Sequence, residues 1–405
     1  MLPTGRDLPQ MLSTRWLVRP LLALFATCAC VTPLVAQNEA GAWEVGNTVT
    51  IEADAYAPKL SPDGRWIAGV KDLDDRQLCI WQVRTGEERC NPESSRVAEA
   101  TISWSPDSRQ VAWSQNGDGL DSDIFVLDVL NDALTNLTDD EVDDLKSAST
   151  ASRFVIYDRW PVWNEDGSEI VFLRILDPRS ETGQRQISVS RILLDTGQVV
   201  RSQDITTDQP LEFVAEAIGV VTPPVLTPDG LFIFALRGGA DVAGVYVADL
   251  NDSTMQLLVS TPTITPSNVP LLTGSTEDGQ RVTFYWLWED FGIGTGQYAY
   301  GWLEMETAEI HPLDIRAPRG MVVASPPTFS PDGTAVVYGV TEDLETSRDA
   351  TIVVQDLDTG DVTELTSGVS LQFWEGVTGL SWTAQNQIVV PLDDGGFEVI
   401  TLQRA

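Results

Sequence analysis

A four-residue phrase recurs six times along the 405-residue chain, as Ser61-Pro62-Asp63-Gly64, Ser105-Pro106-Asp107-Ser108, Asn164-Glu165-Asp166-Gly167, Thr227-Pro228-Asp229-Gly230, Thr276-Glu277-Asp278-Gly279 and Ser330-Pro331-Asp332-Gly333. Each copy follows an apolar stretch and precedes a β-rich one, so the chain is an array of one small unit. The residue types suit a tight turn between antiparallel strands: Pro presets φ, Asp bonds neighbouring backbone N–H groups, and Gly accepts positive φ. Segments 65–70, 109–114, 168–174, 231–236, 281–287 and 334–340 come next and are rich in β-branched and aromatic residues, which predicts strands. Further strands are predicted over 77–83, 123–129, 187–194, 244–250, 298–305 and 351–357. A second turn follows, such as Thr85-Gly86, Asn131-Asp132 or Thr359-Gly360, and then a fourth strand, such as 133–138 or 361–366. Each unit therefore reads as a four-stranded antiparallel meander.

A seventh copy is degraded: Ala384-Gln385-Asn386 stands where Pro-Asp-Gly would sit, and strands are predicted over 387–392 and 397–403 with no fourth strand after them. The segment 43–53, ahead of the first copy, has strand character and is expected to complete that last sheet, closing a ring and hiding two edge strands. The first turn residues of successive copies are 44, 59, 63, 49, 54 and 53 positions apart, against roughly 40 to 50 for known propeller blades. The expected fold is all-β, a β-propeller of seven four-stranded blades, or six if the last copy is only a closing partial.

The phrase with its following strand, and the later run Asp123-Ile124-Phe125-Val126-Leu127-Asp128, resemble the PD40 or TolB-like β-propeller repeat. They are also similar to the WD40-like propellers that precede the hydrolase domain of prolyl-oligopeptidase-type peptidases. The resemblance covers residues 43–405 and implies the blade scaffold, since the matching residues are those that build turns and strands. TolB itself carries an additional α/β domain that engages the envelope machinery. Only residues 37–60 precede the first turn here, so the TolB amino-terminal domain is not expected, and neither is a peptidase domain after the last copy.

Residues 1–36 read as a signal peptide, with Arg15 and Arg19 ahead of an apolar run from Leu21 to Val35 and Ala36 before the cut. Residues 37–405 then form a single propeller domain, exported to a periplasm or secreted, with no membrane insertion after cleavage. Cys79 and Cys90 flank the hairpin turn at 84–87 and are placed for a cross-strand disulfide in an oxidising compartment. A net charge of −35 repels phosphate backbones and anionic lipid, which sets nucleic acid aside and favours a basic protein or peptide partner. The acidic run Asp139-Asp140-Glu141-Val142-Asp143-Asp144 has the oxygen ligands for calcium but not the glycine-containing spacing of an EF-hand loop, so a solvated loop and a calcium site both stand, and no other cofactor is expected.

Catalytic constellations are sparse. His311 is the only histidine, which excludes a His-rich metal site and leaves a Ser-His-Asp triad one candidate base. No G-x-S-x-G elbow is present. Paired carboxylates at the channel mouth, working on a carbohydrate as hydrolase or lyase, form the alternative to a non-catalytic binding scaffold. Two segments have the aromatic and arginine content of an interface: Arg159 and Trp160 in the 154–163 stretch, and Trp288 and Phe291 in the 285–302 stretch. These four are the expected contacts of a protein or peptide bound by a monomeric scaffold.

Overall fold

The structure, a computed structural model, describes residues 42–405 apart from 72–74, 99–100, 118–120, 140–153, 179–184, 208–222, 237–243, 261–270, 289–296, 343–348, 372–379 and 393–395. Residues 40–405 make one compact unit. The expected signal segment lies outside the described residues, and among those residues no helix is long and apolar enough to cross a membrane.

The turn phrase folds as its chemistry dictates. In the first copy the Gly64 amide donates to the Ser61 carbonyl at 2.9 Å, and Ser61 Oγ donates to Asp63 Oδ1 at 2.8 Å while accepting from the Trp66 amide at 3.0 Å. The same hydroxyl-to-carboxylate bond joins Ser105 to Asp107 at 2.8 Å, Thr276 to Asp278 at 2.5 Å and Ser330 to Asp332 at 2.6 Å, and also Thr227 to Asp229. The fourth turn residue has positive φ, between 56° and 87°, in all six copies and at Asn386 in the degraded one. At Gly279 a Cβ would lie 2.7 Å from Thr227 Cβ, so glycine is required there by space as well as by φ.

The strands between these turns fall into six sheets. The first copy gives Ala55–Leu60, Trp66–Lys71, Gln77–Gln82 and Glu88–Cys90 as neighbours in chain order, the meander read from the sequence. The second and third copies share one eight-stranded sheet, joined by a single parallel pairing of Tyr157 with Ser122. In another sheet Trp43–Ile51 pairs antiparallel with Phe397–Arg404, in a register running from Trp43 opposite Arg404 to Ile51 opposite Phe397, followed by Gln387–Pro391 and Ser381–Trp382.

Among the described residues the core is divided among seven apolar clusters, and each joins side chains of two consecutive repeats. Leu60, Ile67 and Trp81 of the first copy pack on Ile51, Val399 and Phe397 of the terminal sheet. The other face of the first copy, through Ala68, Val70 and Ile80, packs on Trp104, Val111 and Trp113 of the second. The sixth copy, through Val337, Ile352 and Val354, meets Trp43, Ile388 and Ile400 of the terminal sheet. Burial on both faces explains why Trp66–Lys71 and Ala335–Thr341 read as continuous apolar runs rather than alternating ones.

Polar bonds reinforce these seams along the innermost strands. Trp104 Nε1 donates to the Lys59 carbonyl at 2.9 Å, and Trp163 Nε1 to the Ser103 carbonyl at 3.2 Å, each reaching into the preceding repeat. A second device recurs three residues before the turn, where Pro58 and Pro161 remove a ladder N–H. The residues before them, Ala57 and Trp160, take φ of 49° and 55°, and the ladder register slips at both places.

Candidate functional site

In an antiparallel meander the first and third connections lie at the same end of the strands. All the Ser-Pro-Asp-Gly turns and the second turns such as 84–87 therefore share one end of the ring, called here the turn end. The longer connections leave from the opposite strand ends.

At the turn end a cavity of about 390 Å³ opens among the first strands of different sheets. Lys59, Ser103 and Ser381 come from the first strands of three sheets and Pro223 lies just before the first strand of a fourth, and these sheets are not all neighbours, which places the cavity at the ring axis. Leu60, Ile102, Trp104 and Trp382 make its walls largely apolar, and among the described residues no Asp or Glu lines it. Lys59 is partly accessible in area because the cavity is open, yet protein surrounds the amine. That burial lowers its pKa from 10.5 to about 8. Among the described residues its side chain has no hydrogen bond or ion pair.

The turn end is otherwise acidic. A second depression, of about 560 Å³, is lined by Glu165, Glu277, Asp278, Glu304, Glu306 and Asp332, with Arg281 as the one cation among its described lining residues. Asp63, Asp166, Asp278 and Asp332 of the turns are held below the ordinary carboxylate value by hydrogen bonds from their own turns. The hydroxyl of Thr276 and the Gln280 amide hold Asp278 below the ordinary carboxylate value. Burial pushes Asp332 up, but hydrogen bonds from Ser330 and Thr334 outweigh it and leave it lowered.

Of the four residues expected to contact a ligand, the side chains of Arg159 and Trp160 are described. Trp160 is 5 % exposed and packs with Val171, Phe232 and Tyr246 in the core between the third and fourth repeats, so the structure places it in a core rather than in a loop. Its amide donates to Ser114 Oγ at 3.1 Å. Arg159, one residue earlier on the same innermost strand, stacks its guanidinium 5.8 Å from the Tyr157 ring. Burial lowers its pKa to about 10, and its Nε has no hydrogen-bond partner among the described residues. Trp288 ends the strand Arg281–Trp288, and Phe291 lies outside the described residues.

Cys79 and Cys90 are cross-strand partners and are joined by a disulfide. Of the acidic run, only Asp139 is among the described residues. His311 stacks on Trp302 with ring centroids 4.1 Å apart, and its Nε2 is 3.7 Å from Glu304 Oε2, a half-exposed arrangement on an outer strand.

Lys59 was not among the expected site residues. Its signal lies in the alignment of the repeats: two places before the turn the other copies carry Ser103, Val162, Val225, Gly274, Thr328 and Ser381, none of them charged.

No family model matches the chain, and no curated protein matches it in sequence. Among solved structures it is similar to the propeller domain of the Trilobed protease from Pyrococcus furiosus, at 11 % identity and a TM-score of 0.51, covering 88 % of this chain and 96 % of that one. It is also similar to the acylaminoacyl peptidase of Pyrococcus horikoshii, at 11 % identity and a TM-score of 0.52, covering 90 % of this chain and 53 % of that one. TolB from Acinetobacter baumannii matches at 17 % identity and a TM-score of 0.43, and the matched part spans 64 % of TolB. The likenesses to the two peptidase propellers show the fold: the chain is an all-β β-propeller.

Proposed function

We propose that the chain is an exported, monomeric, non-catalytic scaffold whose ring has seven blades and docks a basic protein or peptide on its turn end. Seven interface cores, the last joining the sixth repeat to the terminal sheet, support the seven-bladed count and closure by Trp43–Ile51. The observation that carries the docking reading is the acidic depression, where six carboxylates face one arginine on turns held rigid by their own hydrogen bonds. A rigid surface of one charge attracts an oppositely charged partner quickly and loses little entropy on binding it. The carbohydrate reading needs two carboxylates beside aromatic side chains. The axis cavity has aromatics without carboxylates, and the depression has carboxylates without aromatics.

The test is a pull-down from envelope extract with the protein, a Glu277→Lys/Glu306→Lys variant, and a Glu93→Lys control at the opposite end. The reading expects one set of partners retained by the wild type and the control and lost from the double variant, the loss matching that produced by raised salt. Equal recovery by all three would contradict it.

A further inference from the structure

We infer that the axis cavity at the turn end is a binding site for a carboxylate carried on an apolar body, with Lys59 meeting the carboxylate and Ile102, Trp104 and Pro223 enclosing the body. This goes beyond the docking of a basic partner, which needs nothing in the channel.

The chain holds three lysines, Lys59, Lys71 and Lys146, against 22 arginines, so a lysine at an innermost-strand position is not a product of composition. Nor does the blade require it, since the equivalent positions carry Ser, Val, Gly and Thr. Removing an ammonium from water without a carboxylate partner is costly, and proteins pair such groups or use them. Lys71, by contrast, bonds Glu88 at 2.7 Å on the surface. Among the described residues that line the cavity none can neutralise Lys59, and the walls around it are mostly apolar. The complement of that surface is a group with one negative charge and an apolar remainder. A single point-like ammonium, helped only by neutral hydroxyls such as Ser103 and Thr383, matches one carboxylate better than a phosphate, which carries nearly two charges and favours several cations or a nest of amides. The acidic field around the ring repels free anions. The natural occupant is therefore the carboxylate of a peptide, at its carboxy terminus or on an acidic side chain, whose remaining residues are neutral or basic.

The experiment uses the full chain labelled at lysine Cε, in which three lysine signals are expected and Lys59 is assigned by its absence in Lys59→Met. N-acetylleucine, N-acetylleucinamide and inorganic phosphate are titrated in turn at constant ionic strength and pH 7. The inference expects the Lys59 signal alone to shift, saturably, with N-acetylleucine and not with its amide. It also expects Lys59→Met to bind N-acetylleucine about tenfold or more weakly by tryptophan fluorescence, the scale of one charge-assisted hydrogen bond. An unmoved Lys59 signal, parallel shifts of all three lysines, an equal response to the amide, or a response to phosphate alone would each overturn it. The wild-type titration stands even if Lys59→Met fails to fold.

Discussion

The two ends of the ring are built on different principles. At the turn end one phrase is used again and again and satisfies its own polar groups: in the first copy the Ser61 hydroxyl donates to Asp63, the Arg65 amide donates to the same carboxylate, and the Gly64 amide donates to the Ser61 carbonyl. At the opposite end the connections differ in length and sequence from repeat to repeat, and Arg159 sits among Tyr157, Asp158 and Asp121 rather than in a repeated motif. Repetition gives a surface whose shape is set by local chemistry. A charge on that surface, or in the cavity at its centre, is therefore held in place without a partner to hold it.

The largest expected effect separates stability from binding on the innermost strand shared by both ends. Trp160→Ala should lower the unfolding free energy by roughly 3 to 5 kcal/mol in urea, the cost of emptying a buried aromatic site, and leave partner recovery by the remaining folded protein unchanged. Lost recovery with unaltered stability would instead make Trp160 a contact residue.

Next is Lys59, where function and stability should pull in opposite directions. Its folded pKa, about 8, lies below the ordinary 10.5, so the unfolded chain binds the extra proton between these values. Stability contributed by this group therefore rises with pH from about 8 to 10.5, and below 8 the penalty is present in full. Lys59→Met should remove that rise and stabilise the protein at pH 7 by up to about 3 kcal/mol, read from urea unfolding at several pH values. A destabilised variant with the rise intact would show that the amine is not desolvated.

A turn variant has a smaller effect. Ser330→Ala removes the donor to Asp332 and the acceptor of the Ala335 amide, and should cost about 1 to 2 kcal/mol. It should also weaken the acid limb. Asp332 is lowered in the folded state, so its contribution is complete above the unfolded carboxylate value near 4 and is lost as pH falls through the folded value. The smallest change is expected at the other end, where four Gly/Ser residues inserted within 179–184 should cost less than about 1 kcal/mol in chain entropy. A large loss there would contradict the division between the ends.

The legibility of the sequence follows the same division. The turns, the strand order and the pairing of Trp43–Ile51 with the terminal sheet were readable because Pro, Asp and Gly at fixed offsets report local geometry, and an incomplete last sheet demands a strand. The 154–163 stretch has the composition of an interface, and Trp160 within it packs in a core. The Pro161 signal, in phase with Pro58 three residues before the turn, marks it as innermost strand. Lys59 could not be weighed from its neighbours, because its meaning depends on strands from other sheets converging at the axis. The acidic depression likewise gathers residues more than a hundred positions apart, such as Glu165 and Glu277.

Hydrogen exchange with and without a partner recovered on the wild-type protein distinguishes the two ends most directly. The account predicts new protection within 276–281, 304–306 and 330–333, with none gained at the connections leaving the opposite strand ends. Protection confined to those connections, with the turns unchanged, would contradict it.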